Sequence, residues 1–178
     1  RVDQSIIDLL VRAAKPELPG NEMGGPYERK FERYLVRKAL EQFPEELQEY
    51  LHSSRVSMVP SENVLWAIQA LPVGQKEQAF EKWWPKAIHK HPDQHTFISL
   101  AQMLSNPKVY QLVKPYFEDP QNALIYTQLA LQNQSLVQSN ELATLLQTPI
   151  KYLLQSKKQT DTDLALDAAG RYNIPEVR

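Results

Sequence analysis

Cysteine is absent from the 178 residues. That excludes disulfides, thiolate zinc sites and a cysteine nucleophile. Its absence is neutral on compartment, since it suits the cytoplasm and equally a disulfide-free periplasmic protein. Glycine is scarce, at five residues. No Gly-x-x-x-x-Gly-Lys-Ser/Thr, Gly-x-Gly-x-x-Gly or Gly-x-Ser-x-Gly pattern occurs, so phosphate-loop, dinucleotide-binding and nucleophile-elbow signatures are missing. No apolar run approaches the ~20 residues of a membrane span, and none forms a signal-peptide core. Neither sign of charge dominates: 20 Lys and Arg stand against 21 Asp and Glu, a net of −1. Such a balance gives no whole-chain attraction to nucleic acid or anionic lipid. Strand-like runs are also wanting. Val56-Ser57-Met58-Val59 alternates, but it is too short for a sheet, and the long Val/Ile-rich runs of a parallel sheet do not occur.

What the sequence does hold is a core's worth of apolar residues, 42% of the chain, with little net charge. That composition excludes global disorder. A chain of this length buries roughly 70% of its unfolded surface. It also holds thirteen prolines. Pro44, Pro60, Pro72, Pro85, Pro92, Pro107 and Pro120 punctuate apolar segments with helical spacing. Proline suits a helix's first turn and disfavours its interior. The pattern therefore predicts about 9–10 short antiparallel helices and an all-α class, as an irregular helical-hairpin (solenoid-like) stack or an orthogonal bundle. A regular tetratricopeptide array is a weaker fit: Ala67 and Ala101 are 34 residues apart, but the other positions of that repeat are not reproduced.

One all-α domain is expected over 1–178: an N-terminal helix plus Pro/Gly loop (1–26), a helical-hairpin core (27–156), then a linker and C-terminal helix (157–178). Within it, helices are expected at 3–14, 27–43, 44–52 and 62–71, the last capped by Ser61. Asp93, Asn106-Pro107, Asp119-Pro120 and Ser139 open further helices, and Thr148-Pro149 opens another at 150–155. On 27–43, Tyr27, Phe31, Tyr34, Leu35, Ala39 and Leu40 share a core-facing stripe.

Three patterns carry chemistry. His89, His91 and His95 lie within seven residues, but their spacing is not that of helical metal ligands, and Pro92 interrupts them. They read as a polar turn, and no metal or cofactor is expected. Lys82, Lys86 and Lys90 fall at i, i+4, i+8 beside Trp83 and Trp84. Adjacent indoles are ~100° apart on a helix, so one of them, Trp84, is the candidate for exposure beside the cations. Arg29, Arg33 and Arg37 repeat the i, i+4 spacing, and residues 27–38 hold five cations against two carboxylates. Pairs Arg29–Glu32, Arg37–Glu41 and Lys38–Glu41 relieve part of that repulsion. The rest asks for acidic groups from residues 45–49 or from another molecule. Seventeen glutamines are spread along the chain and read as neutral surface helix formers.

The expectation is a non-catalytic protein-interaction or adaptor module, a soluble scaffold domain of a larger or anchored assembly. Its partner is a protein or peptide with an acidic patch. The expected surface comprises Arg29, Arg33, Arg37, Lys82, Trp84, Lys86, Lys90, Tyr110, Tyr116 and Tyr126, with aromatic and arginine anchors. The alternatives are a binder of nucleic acid or an anionic ligand through the basic stripes, and an all-α hydrolase with one acidic catalytic residue. Because Arg1 rather than methionine comes first, the compartment stays open: cytoplasmic by default, periplasmic or membrane-tethered otherwise.

Overall fold

The computed structural model describes residues 2–15, 26–87 and 92–174. Among the described residues the fold is all-α, with no strand. Its helices are α1 (Gln4–Ala13), α2 (Pro26–Leu40), α3 (Pro44–His52), α4 (Ser61–Ile68), α5 (Val73–Ala87), α6 (Gln94–Gln102), α7 (Pro107–Glu118), α8 (Ala123–Gln132), α9 (Gln134–Val137), α10 (Asn140–Leu154) and α11 (Gln159–Arg171). The β-like run at Val56 lies in a 3-10 turn, Ser54–Met58, that follows directly on α3.

Local signals set most helix starts. Asp93 accepts from Thr96 N at 2.8 Å, Asn106 from Lys108 N at 2.9 Å, and Ser139 Oγ from Leu142 N at 3.1 Å. Each satisfies a first-turn donor that the helix leaves free. Asp119 does the same for Gln121 N, through a 3-10 turn (Pro120–Asn122) leading into α8. Ser61 is not a cap: it is the first helical residue, and Pro60 precedes it without a side-chain bond. Pro149 does not open a helix either. It lies inside α10, which merges the expected helices at 140–147 and 150–155. Burial of Leu145, Leu146, Ile150 and Leu153 along one side of α10 outweighs the missing N–H.

The chain divides into two compact units, Arg1–Lys90 and His91–Arg178. The proline spacing runs unchanged through that point, so punctuation set no boundary there. In the first unit α1 packs on α2, α3 and α4, and α4 also packs on α2 and α5. Ile7 and Val11 of α1, Leu40 of α2, Leu47 of α3 and Ile68 of α4 are buried. The C-terminal end of α1 is held by side chains from two neighbours. Asn63 Nδ2 of α4 donates to the carbonyls of Val11 and Arg12, both at 3.2 Å. Arg33 Nε of α2 donates to the Lys15 carbonyl at 2.8 Å. A cation here also opposes the negative end of the α1 dipole.

In the second unit α10 packs on α7, α8 and α11, and α8 closes on α11. Ala165, Ala168 and Ala169 form the buried seam of α11. Its end is a Schellman turn: Asn173 takes φ 53°, and Ile174 N donates to Ala169 O at 2.9 Å. Buried Ile174 and Tyr172, whose hydroxyl donates to Ala130 O at 2.8 Å, pin that turn to α8.

Candidate functional site

Helix α2 is rotated relative to its expected stripe. Leu40 faces inward as expected, but Arg33 and Val36 join it there, while Phe31, Tyr34 and Leu35 stay 60%, 47% and 49% exposed. The corrected residue is Arg33, which is 3% exposed and therefore part of the interior, not of a surface. Its guanidinium lies over the Trp66 ring at 4.9 Å, and Trp66 Nε1 donates to its carbonyl at 3.3 Å. Planar stacking and hydrogen bonding let a guanidinium be buried where an ammonium would not be.

Around the exposed stripe the expected pairs form: Arg29 with Glu32, Arg37 with Glu41 at 3.3 Å, and Lys38 with Glu41 at 2.8 Å. Burial first, and the Arg37 charge second, hold the Lys76 ammonium below 10.5, against Glu41. Between α1 and α2 runs a groove of about 410 Å³ lined by Ala13, Lys15, Arg29, Glu32, Leu35 and Val36. The Arg29 Nε in it is buried and has no hydrogen-bond partner among the described residues. On α1, Ile6 and Leu9 add exposed apolar surface, at 48% and 67%.

On α5 the indole beside the cations is Trp83, not Trp84. Trp84 is wholly buried and stacks on Phe80, ring centroids 4.8 Å apart. The Trp83 ring takes Lys86 Nζ at 4.6 Å and Lys82 Nζ at 5.8 Å. Lys82 Nζ also donates to Leu51 O at 3.2 Å, at the end of α3. Lys90, His89 and His91 lie outside the described residues.

The tyrosines are not an exposed row. Tyr126 is 1% exposed, wedged edge-on between Phe97 and Phe117, and burial raises its hydroxyl well above the usual range. It is a core residue and cannot anchor a partner. Tyr116 is half-buried, with burial again raising its pKa, and Tyr110 is half-buried too.

Among the described residues no group of three or more His, Asp or Glu is placed to hold a metal. No helix there is long and apolar enough to cross a membrane. The carboxylates with displaced pKa values, Asp3 and Asp8, are both lowered by hydrogen bonds, from Ser5 for the first and from Arg12 and Tyr50 for the second.

The chain matches no family model, no curated protein and no solved structure. Its function is therefore argued from these surfaces. They expose apolar groups that the sequence pattern had assigned to the core, Phe31, Tyr34 and Leu35, whereas Trp83 is itself buried beside Lys82 and Lys86.

Proposed function

We propose that the protein is a non-catalytic interaction module whose outward face of α2, beside the α1–α2 groove, receives an acidic amphipathic helix of another protein. One observation carries this: α2 turns Phe31, Tyr34 and Leu35 outward while its neighbours Arg29, Lys30 and Lys38 supply positive charge. Exposed large side chains that adjoin one another are uncommon on a surface that meets only water. An apolar stripe at i, i+3, i+4 is the complement of a helix laid in a groove, and the cations select carboxylates at its rim. Arg29 has an Nε–H still to donate, which suits a carboxylate oxygen.

The test uses the full chain as bait, at low and high salt, with and without nuclease. A Phe31→Ala/Leu35→Ala variant should fold as the parent does, since both side chains are exposed. A protein retained by the parent at low salt, lost by this variant and indifferent to nuclease is the expected result. Equal retention by the variant overturns the reading. Nuclease-sensitive retention would instead favour nucleic acid on the basic stripes, with the steep salt dependence of counterion release.

A further inference from the structure

A second site lies in the same unit, away from the α1–α2 groove. Helices α3 and α5 enclose a cavity of about 80 Å³. Leu51 and Ala79 give it apolar wall, and Gln48, Gln78 and His52 line it with Gln75, Lys82 and Trp83. Two of these residues carry an anomaly. Trp83 Nε1 and Gln75 Oε1 are both buried without a hydrogen-bond partner among the described residues. Trp83 as a whole is only 5% exposed. Buried donors and acceptors are nearly always satisfied, so two unsatisfied groups on one cavity point to something bound there.

The charge of the walls selects what that is. Among the described residues no acidic side chain lines the cavity, and Lys82 brings an ammonium. That ammonium has three N–H donors, one of them directed to Leu51 O. A half-turn of the Gln75 amide exchanges its oxygen for its N–H donors. With the amide turned, an indole N–H, an amide N–H and an ammonium N–H line one cavity, a set that suits an acceptor-only group. The volume holds about two or three water molecules, or a carboxyl group on a short carbon stem.

We propose that the α3–α5 cavity is a carboxylate-binding site, sized for a small monocarboxylate or for the tip of an acidic side chain. Trp83 Nε1 and Lys82 Nζ are its donors, Gln75 turns to become a third, and Leu51 and Ala79 contact the aliphatic stem.

The test follows the indole N–H signals of the ¹⁵N-labelled full chain during titration with sodium acetate. Sodium chloride keeps ionic strength fixed, and acetamide serves as the neutral analogue. Trp83→Phe identifies the signal. That signal should move downfield saturably with acetate and stay put with chloride. Lys82→Met, an exposed position whose loss leaves the core intact, should raise the half-saturating acetate concentration about tenfold, as for loss of one charge-assisted hydrogen bond. An unmoved signal overturns the proposal and leaves the cavity to water. Equal response to acetamide, or an unchanged half-saturation in Lys82→Met, overturns it as well. A short peptide with an internal glutamate, titrated in parallel, separates a side-chain ligand from a free acid. A positive result stands whether or not the outward face of α2 binds a partner.

Discussion

At the scale of single residues, Arg33 shows how a charge can be structural. Its guanidinium covers Trp66 and its Nε closes the end of α1. Replacing it with alanine leaves the Lys15 carbonyl without this donor and opens a space over the indole. The expected cost is about 2–3 kcal/mol in urea unfolding followed by tryptophan fluorescence. Lysine should restore little of this, because it cannot stack in the same way. A change within 0.5 kcal/mol would show that the buried charge is dispensable. Tyr50 and Asp8 predict a pH signature. Tyr50 donates to Asp8, and Arg12 Nε donates to the same carboxylate at 2.7 Å. Hydrogen bonds from Arg12 and Tyr50 hold Asp8 below 3.8, so its contribution is present above about pH 4 and is lost as pH falls through the folded value. Burial and then Asp8 raise the Tyr50 hydroxyl, so its contribution is present below about pH 10 and is lost as pH rises. The urea midpoint of the parent should exceed that of Tyr50→Phe at pH 7, and the gap should narrow at both extremes. A gap that does not change with pH would remove both contributions.

At the scale of elements, caps were legible and faces were not always so. Asp93, Asn106 and Ser139 act on their own first turns, two or three residues along the chain. The inward face of α4 is equally plain, since Val64, Leu65 and Ile68 keep helical spacing and are all buried. Helix α2 misleads because it carries two stripes. One runs through Phe31, Tyr34 and Leu35, the other through Arg33 and Val36, and both reach Leu40. Periodicity ranks the first as core, and only the position of Trp66 and of the α1 carbonyls makes the second the better fit. The same holds for α5, where Trp83 and Trp84 are equivalent as sequence and both buried, Trp84 stacked on Phe80 and Trp83 flanked by Lys82 and Lys86. Pro149 would have been read correctly only by knowing how firmly α7, α8 and α11 clasp α10. Ser139→Ala, which removes the cap of that central helix, should cost about 1 kcal/mol. Calorimetry should show a fall of the corresponding melting temperature by about 4–8 °C for a unit of this size.

At the scale of the whole molecule, the two units carry different spectroscopic labels. Trp66, Trp83 and Trp84 all belong to the first unit, and the second holds tyrosine but no tryptophan. Each unit has its own buried core, so each should unfold as its own cooperative step. Ser139→Ala should therefore lower the midpoint seen by far-ultraviolet circular dichroism and leave the tryptophan-detected midpoint in place. Coincident shifts of both probes would mean that the units unfold together.

The all-α class, the caps at Asp93, Asn106, Asp119 and Ser139 and the ion pairs Arg29–Glu32, Arg37–Glu41 and Lys38–Glu41 follow from the sequence alone. They depend on residues within four positions of one another, and such interactions are carried by local chain geometry. The outward turn of Phe31, Tyr34 and Leu35, the burial of Arg33, Trp84 and Tyr126, the passage of α10 through Pro149 and the cavity at Trp83 were decided by tertiary structure. In each, the winning interaction joins residues far apart in the chain, and its strength depends on which surfaces are left to meet once every helix has formed.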